Sequence, residues 1–256
     1  MNTVSTKTIV ITGASRGIGA AAARKFAEAG AHVVLAARSK ARIDAIAQEI
    51  TAAGGAATAL RCDVSQATDV EHLINAAVAE TGAIDVLINN AGLIDPISRL
   101  SESDPEAWGQ IVDVNLKGVY HGLRYAIPQM VRAGAGTIIN ISSGAATGAL
   151  EGWSHYCATK AAVLSLTRVA HKEYAEKGVR VVGLSPGTVA TEMQVAIRAS
   201  GINPVSQLDP EAHIPPEWVA KALIWLCSKD ADPHLGTDFS IKTDAGRAAV
   251  GLAPLG

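Results

Sequence analysis

The chain of 256 residues is 48% hydrophobic and 18% charged, and its net charge of −2 comes from scattered residues of both signs. It can bury a sizeable core without disulfides, and it carries neither the basic stripe of a nucleic-acid binder nor a Lys/Arg block suited to an anionic membrane. No uncharged apolar run approaches the roughly 20 residues that span a bilayer, and the first residues lack the apolar stretch of a secretory signal, so a soluble cytoplasmic protein with small-molecule partners is expected.

Seven strands are predicted, at 8–12, 32–37, 57–62, 86–89, 137–141, 180–184 and 239–242. Helical patterns at 17–29, 39–53 and 65–81 separate the early ones, each closed by a glycine (Gly30, Gly54, Gly82), as a left-handed helix cap requires. This is the rhythm of βαβ units, and it predicts an α/β fold: a doubly wound, Rossmann-type parallel sheet with helices on both faces. No linker or repeat interrupts it, so residues 1–256 read as one domain.

Directly after the first strand comes Thr12-Gly13-Ala14-Ser15-Arg16-Gly17-Ile18-Gly19, opening the first helix. Gly13, Gly17 and Gly19 let the backbone turn tightly and approach a pyrophosphate, whose charge meets the exposed N–H groups and positive end of the helix. The same residues match G-x-S-x-G, the nucleophile elbow of α/β-hydrolases. That architecture needs an earlier strand and loop to supply an oxyanion-hole N–H, and only 14 residues precede Ser15, so a dinucleotide site is the better reading. The second strand ends Leu35-Ala36-Ala37-Arg38-Ser39, without the acid that would hold a ribose 2′-hydroxyl. Arg38, with Arg16 in the glycine loop, suits a 2′-phosphate. NADP(H) is therefore favoured, with NAD(H) as the alternative.

Tyr156 and Lys160 stand four residues apart, on one face if the segment is helical. A free tyrosine has a pKa of about 10, so acid–base work near neutrality needs a shift worth about 4 kcal/mol. One positive charge about 4 Å away at an effective dielectric of about 20 supplies that much. Ser143 ends the fifth strand, where ligands of open parallel sheets bind, and its hydroxyl is placed to hold a substrate oxygen. Periodicity alone barely separates it from Ser142.

At this point the sequence resembles the short-chain dehydrogenase/reductase family over essentially its whole length. Five landmarks carry the resemblance, in order: the TGxxxGxG loop at 12–19, Asn89-Asn90-Ala91-Gly92 after the fourth strand, Asn115, Ser143 with Tyr156 and Lys160, and Pro186-Gly187-Thr188-Val189-Ala190-Thr191 after the sixth strand. The resemblance implies an NAD(P)-dependent oxidoreductase that moves a hydride between the nicotinamide and a carbonyl or secondary alcohol. It implies Tyr156 as the acid/base, Lys160 holding the nicotinamide ribose and tuning the tyrosine, Ser143 orienting the substrate oxygen, and Asn115 holding a water for proton relay. It also implies Ile18 near the nicotinamide, Asp63 and Val64 at the adenine, Asn89 lining the cofactor groove, and Val189 with Thr191 at the carboxamide. Ala91, Gly92, Pro186 and Gly187 join them as cofactor contacts. For Asp63 an N-terminal cap just before Ser65 is an equal alternative. One departure is Asp244-Ala245-Gly246, where many members have Asp-Gly-Gly, which questions the local turn.

The proline-rich stretch 192–216, between the sixth strand and a helix at 218–227, is long for a connection and is the candidate substrate lid. Ile94, Asp95, Glu151, Trp153 and Met193 are expected to face the substrate, with Gln194 beside them. His155 is read as a pocket wall, since adjacent helical residues point about 100° apart. Thr191-Glu192-Met193-Gln194 is similar to the corresponding stretch of sepiapterin and benzil reductases, which reduce diketone-like compounds. Ketone or diketone reduction is thus expected, with a 3-oxoacyl-thioester (acyl-carrier-protein) reductase and a catalytically silent NADP-binding sensor or scaffold as alternatives. The seven histidines show no metal-ligand spacing, and Cys62, Cys157 and Cys227 form no CxxC pair, so no metal is expected. The apolar helices at 115–130 and after Tyr156 offer more than one buried face, which predicts a homo-oligomer, and family resemblance a tetramer or dimer.

Overall fold

The computed structural model describes residues 4–254. Seven parallel strands form one sheet in the order β3-β2-β1-β4-β5-β6-β7, with β1 at Thr8–Thr12, β2 at His32–Ala37, β3 at Ala56–Arg61, β4 at Val86–Asn89, β5 at Gly136–Ile141, β6 at Val179–Ser185 and β7 at Asp238–Ser240. The doubly wound parallel sheet expected from the βαβ rhythm is the fold observed. Strands β1, β4 and β5 are buried at every position, as in a sheet covered on both faces, which is why they read as unbroken apolar runs.

Alternation within β1 divides the core. Ile9 and Ile11 pack with Val33 and Leu35 of β2 against helices α1 (Gly17–Glu28), α2 (Lys40–Ala52) and α8 (Pro216–Leu226). Val10 and Val34 face the other way, toward α3 (Ala67–Thr81), α5 (Gly118–Ala133) and α6 (Ser154–Tyr174). Phe26 and Met130 are fully enclosed on the two sides, and burying a side chain of this size contributes about 1.5–3 kcal/mol. The predicted glycine stops hold: Gly30, Gly54 and Gly82 all sit at φ +85°, where a Cβ is penalised.

Three local differences have physical reasons. Strand β7 ends at Ser240 rather than 242, because the Lys242 N–H turns back onto the Ser240 hydroxyl (3.2 Å). The stretch 192–216 contains a helix, α7 (Glu192–Ser200), stopped by Gly201 at φ +62°, and two short 3₁₀ turns. Between α4 (Pro105–Val112) and α5 the chain widens into a π-helical turn, Asp113–Lys117, that holds Asn115. At Asp244-Ala245-Gly246 the chain starts helix α9 (Asp244–Val250), where the Thr243 hydroxyl accepts from the Gly246 N–H (3.1 Å). Only the last of the three positions demands glycine, since a Cβ on Gly246 would stand 1.9 Å from the Ser240 carbonyl oxygen; Ala245 fits without strain on the turn.

The strand order reverses at β1 and β4, and the crevice outside the carboxyl ends of the strands at such a reversal is where ligands bind in open α/β sheets. The glycine loop, Asn90, Ser143 and Pro186 follow β1, β4, β5 and β6 at that edge.

Candidate active site

A cleft of about 960 Å³ runs along this edge, from Arg38, Arg42 and Asp63 at one end to Ser143, Tyr156 and Trp153 at the other. The glycine loop forms its floor. Gly13 and Gly17 adopt φ +65° and +53°, and a Cβ on Gly13 would stand 2.8 Å from Ala91 Cα. Gly19 lies beneath the loop, its missing Cβ leaving room for the Gly13 carbonyl, 2.4 Å away. Two motif residues to which the sequence assigns no contact of their own, Thr12 and Asn90, brace the loop. The Thr12 hydroxyl accepts the N–H groups of Asn90 (3.0 Å) and Ala91 (3.2 Å), and the Asn90 amide donates to Thr12 O (2.9 Å) and Gly13 O (3.1 Å). A cradle that side chains would fill, at a helix N-terminus, fits a pyrophosphate.

Ser15, Arg16, Ile18, Val64, Ala91, Gly92, Gly187, Val189 and Thr191 line the same cleft. Asn89 does not. Adjacent strand residues point to opposite faces, and Asn89 turns into the core, donating to the Asn140 side chain (2.8 Å), while Asn90 lines the cleft. Asp63 borders the cleft, but it is not the helix cap, because α3 starts at Ala67 after Gln66; its carboxylate instead closes a local turn, accepting from the Ser65 N–H (3.1 Å) and hydroxyl (2.8 Å). Arg16 pairs with Glu192 of α7, and Arg42, absent from the sequence-based candidates, stands 3.9 Å from the same carboxylate.

At the reacting end, helix α6 carries Tyr156 and Lys160 into the cleft on successive turns, and the end of β5 presents Ser143. The two serines are distinct. The Ser142 hydroxyl donates to Asp238 of β7 (2.8 Å), whereas the Ser143 hydroxyl accepts from the Ala145 N–H (3.2 Å) and faces the Tyr156 phenol. Burial pushes the phenol up to about 12, against a smaller downward pull from Ser143. This is opposite to the downward shift expected of a phenol with an ammonium about 4 Å away. Lys160 Nζ is held 5.5 Å from the centroid of the Tyr156 ring and donates to the Ile141 carbonyl (2.7 Å). Burial lowers the lysine itself to about 8, with Asp238 opposing.

Asn115 is buried away from the cleft, its amide donating to Leu93 O and its carbonyl accepting the Leu93 N–H, both at 2.8 Å. The side-chain amide ties the π turn to the segment after β4. Of the expected substrate residues, Ile94, Trp153 and Met193 line the cleft. Asp95 is exposed outside it, and Glu151 is an exposed partner of Arg99 (2.7 Å). Trp153 meets the Tyr156 ring edge-on at 5.5 Å and packs with Ile94, Ala145 and Ile197 of α7. His155 is buried beside the cleft, accepting the Tyr156 N–H on Nδ1 and donating from Nε2 to Pro96 O (2.6 Å). Cys62 and Cys227 are buried thiols whose pKa burial drives up to about 12, which keeps them protonated and unreactive.

The profile of the short chain dehydrogenase family matches residues 7–201. A 2,5-dichloro-2,5-cyclohexadiene-1,4-diol dehydrogenase, LinX of Sphingobium indicum, is 35% identical over 94% of this chain and 96% of its own. The 3-oxoacyl-[acyl-carrier-protein] reductase FabG of Staphylococcus aureus is 38% identical over 75% of this chain and 78% of its own. A crystal structure of the 3-ketoacyl-(acyl-carrier-protein) reductase from Brucella melitensis complexed with NADH superposes with a TM-score of 0.81 at 31% identity, covering 93% of this chain and 97% of that one. With a glycine-loop cleft at the strand reversal and a tyrosine–lysine pair at its far end, the chain belongs to the short-chain dehydrogenase/reductase family, NAD(P)-binding oxidoreductases acting on alcohol and ketone groups.

Proposed function

We propose that this enzyme reduces a compact, apolar ketone or diketone with NADPH. The observation that carries this is the meeting of Ser143 and Tyr156 in an apolar end of the cleft walled by Ile94, Leu150, Trp153, Met193 and Ile197. When bound, the nicotinamide supplies the hydride. Ser143 holds the carbonyl oxygen, and Tyr156, which keeps its proton at neutral pH, donates to that oxygen as it gains charge. Lys160 supplies the buried positive charge that favours the resulting phenolate. A diketone is in keeping with the relative that acts on a cyclohexadiene diol, a compound with two ring hydroxyls. The stretch 192–216 serves as lid, since Met193 and Ile197 of α7 close over the apolar end.

NADP(H) preference rests on Arg16, Arg38 and Arg42, which line the end where a 2′-substituent would lie; NAD(H) is the alternative, supported by the NADH held by the Brucella relative. Reduction of a 3-oxoacyl thioester is the second reading, favoured by the similarity to the acyl-carrier-protein reductases. We also infer a homo-oligomer, dimer or tetramer, through α5 and α6, where Tyr120 and Val169 are each 48% exposed. No helix among the described residues is long and apolar enough to cross a membrane, and the free cysteines agree with a reducing cytoplasm.

The test is NADPH oxidation with cyclic ketones, cyclic diketones and a 3-oxoacyl thioester, in wild type and Tyr156→Phe. Turnover of the cyclic compounds that collapses in Tyr156→Phe is expected. Turnover confined to the thioester selects the second reading, and NADPH binding without turnover of any substrate supports a silent sensor.

A further inference from the structure

Glu192 begins α7, 154 residues after Arg38, yet its carboxylate lies on the cationic corner of the cleft. One oxygen pairs with Arg16 Nη1 and the other stands 3.9 Å from Arg42 Nη1. Arg16 and Arg42 share that corner with Arg38 and Ser39. Thr191, just before Glu192, rests against the glycine loop, its Cγ2 only 3.0 Å from where a Gly17 Cβ would be. The acid absent from the end of β2 is therefore delivered to the same corner by a remote helix.

A carboxylate and a phosphate monoester seek the same guanidinium forks. A ribose hydroxyl does not compete for them. We propose that Glu192 is a cofactor-selectivity residue: its carboxylate is an internal counter-ion to Arg16 and Arg42 that a 2′-phosphate must displace, so it weakens NADP(H) binding and leaves NAD(H) binding unchanged. This rests on the reading that these arginines receive the 2′-substituent. The three side chains are 53–58% exposed, so solvent screens the competition and its effect is a matter of several-fold rather than orders of magnitude.

Equilibrium titration with NADP⁺ and NAD⁺ tests this in wild type, Glu192→Gln and Glu192→Ala, with Glu217→Gln as a control acid from the neighbouring groove. In both Glu192 variants the Kd for NADP⁺ is expected to fall about three- to tenfold, the range of one or two exposed ion pairs. The Kd for NAD⁺ should stay within about twofold, and the difference should shrink at high ionic strength. Glu217→Gln should change neither. An unchanged Kd for NADP⁺, or equal changes for both cofactors, overturns the proposal. Failure of the proposed NADP(H) preference looks different: if wild type prefers NAD⁺ but Glu192→Gln moves it toward NADP⁺, that preference falls and the role of Glu192 stands.

Discussion

Tyr156 and Lys160 show how burial and pairing compete at one pair of side chains. An ammonium about 4 Å from the phenol would bring it toward neutrality, but Lys160 is directed to the Ile141 carbonyl, and desolvation dominates the tyrosine. A phenol that keeps its proton is an acid ready for a carbonyl oxygen. The rate of reduction should therefore be flat through neutrality and fall above about pH 8 as Lys160 loses its charge, while alcohol oxidation rises with pH; profiles of kcat/KM in the two directions check this. Tyr156→Phe should cost about 10²- to 10⁴-fold in turnover with cofactor affinity kept.

Lys160 also carries a stability cost. Its folded pKa of about 8 lies below its ordinary 10.5. Below pH 8 both folded and unfolded chains are protonated, and the fold bears the full penalty of a buried ammonium. Between pH 8 and 10.5 the folded chain sheds its proton first, so the penalty fades as pH rises. Lys160→Met should accordingly abolish turnover yet raise Tm at pH 7 by about 2–6 °C, an increment of about 1–2 kcal/mol. The gain should narrow toward pH 10 in thermal melts of the two proteins. A variant less stable than wild type at pH 7 would show that the hydrogen bond to Ile141 outweighs desolvation.

At the scale of elements, the glycine loop works because β1, α1 and the segment after β4 close on one another with no side chains between. Gly19→Ala places a methyl 2.4 Å from the Gly13 carbonyl oxygen, with further contacts to Asn90 and Ala14. Loss of NADP⁺ binding with the sheet intact is the expected result, read by titration and circular dichroism. At the end of β2, Arg38→Asp should weaken NADP⁺ by about 10- to 100-fold, the worth of charge-assisted hydrogen bonds, and spare NAD⁺; equal loss of both would show that Arg38 serves the shared part of the cofactor. The strands and the first three helices were legible because apolar period and glycine stops agree there. Helix α7 was not, since Pro204, Pro210, Pro215 and Pro216 dominate the composition of the stretch and mask a nine-residue helix. Nor was the π turn at Asn115, which differs from an α-helix by one residue of register and leaves no mark on periodicity.

For the whole molecule, the outward sides of α5 and α6 leave Tyr120 and Val169 facing solvent. If the proposed oligomer forms through these helices, Tyr120→Glu combined with Val169→Glu should convert it to monomer in size-exclusion chromatography with light scattering, and an unchanged oligomeric mass would place the interface elsewhere. The linear chain was enough to specify the sheet, the glycine loop and the Ser143–Tyr156–Lys160 set, because each is encoded locally as a short motif at a strand or helix end. What the tertiary structure decided is which candidate reaches the cleft and which is engaged elsewhere: Asn90 lines it while Asn89 bonds Asn140, the Ser142 hydroxyl is held by Asp238 while Ser143 meets Tyr156, and Trp153 and Met193 line it while Asp95 and Glu151 do not. It also set the protonation of Tyr156 and delivered Glu192 to Arg16. Side-chain direction, desolvation and contacts across 176 residues of chain depend on how elements pack against each other, and no local pattern of residue types records that.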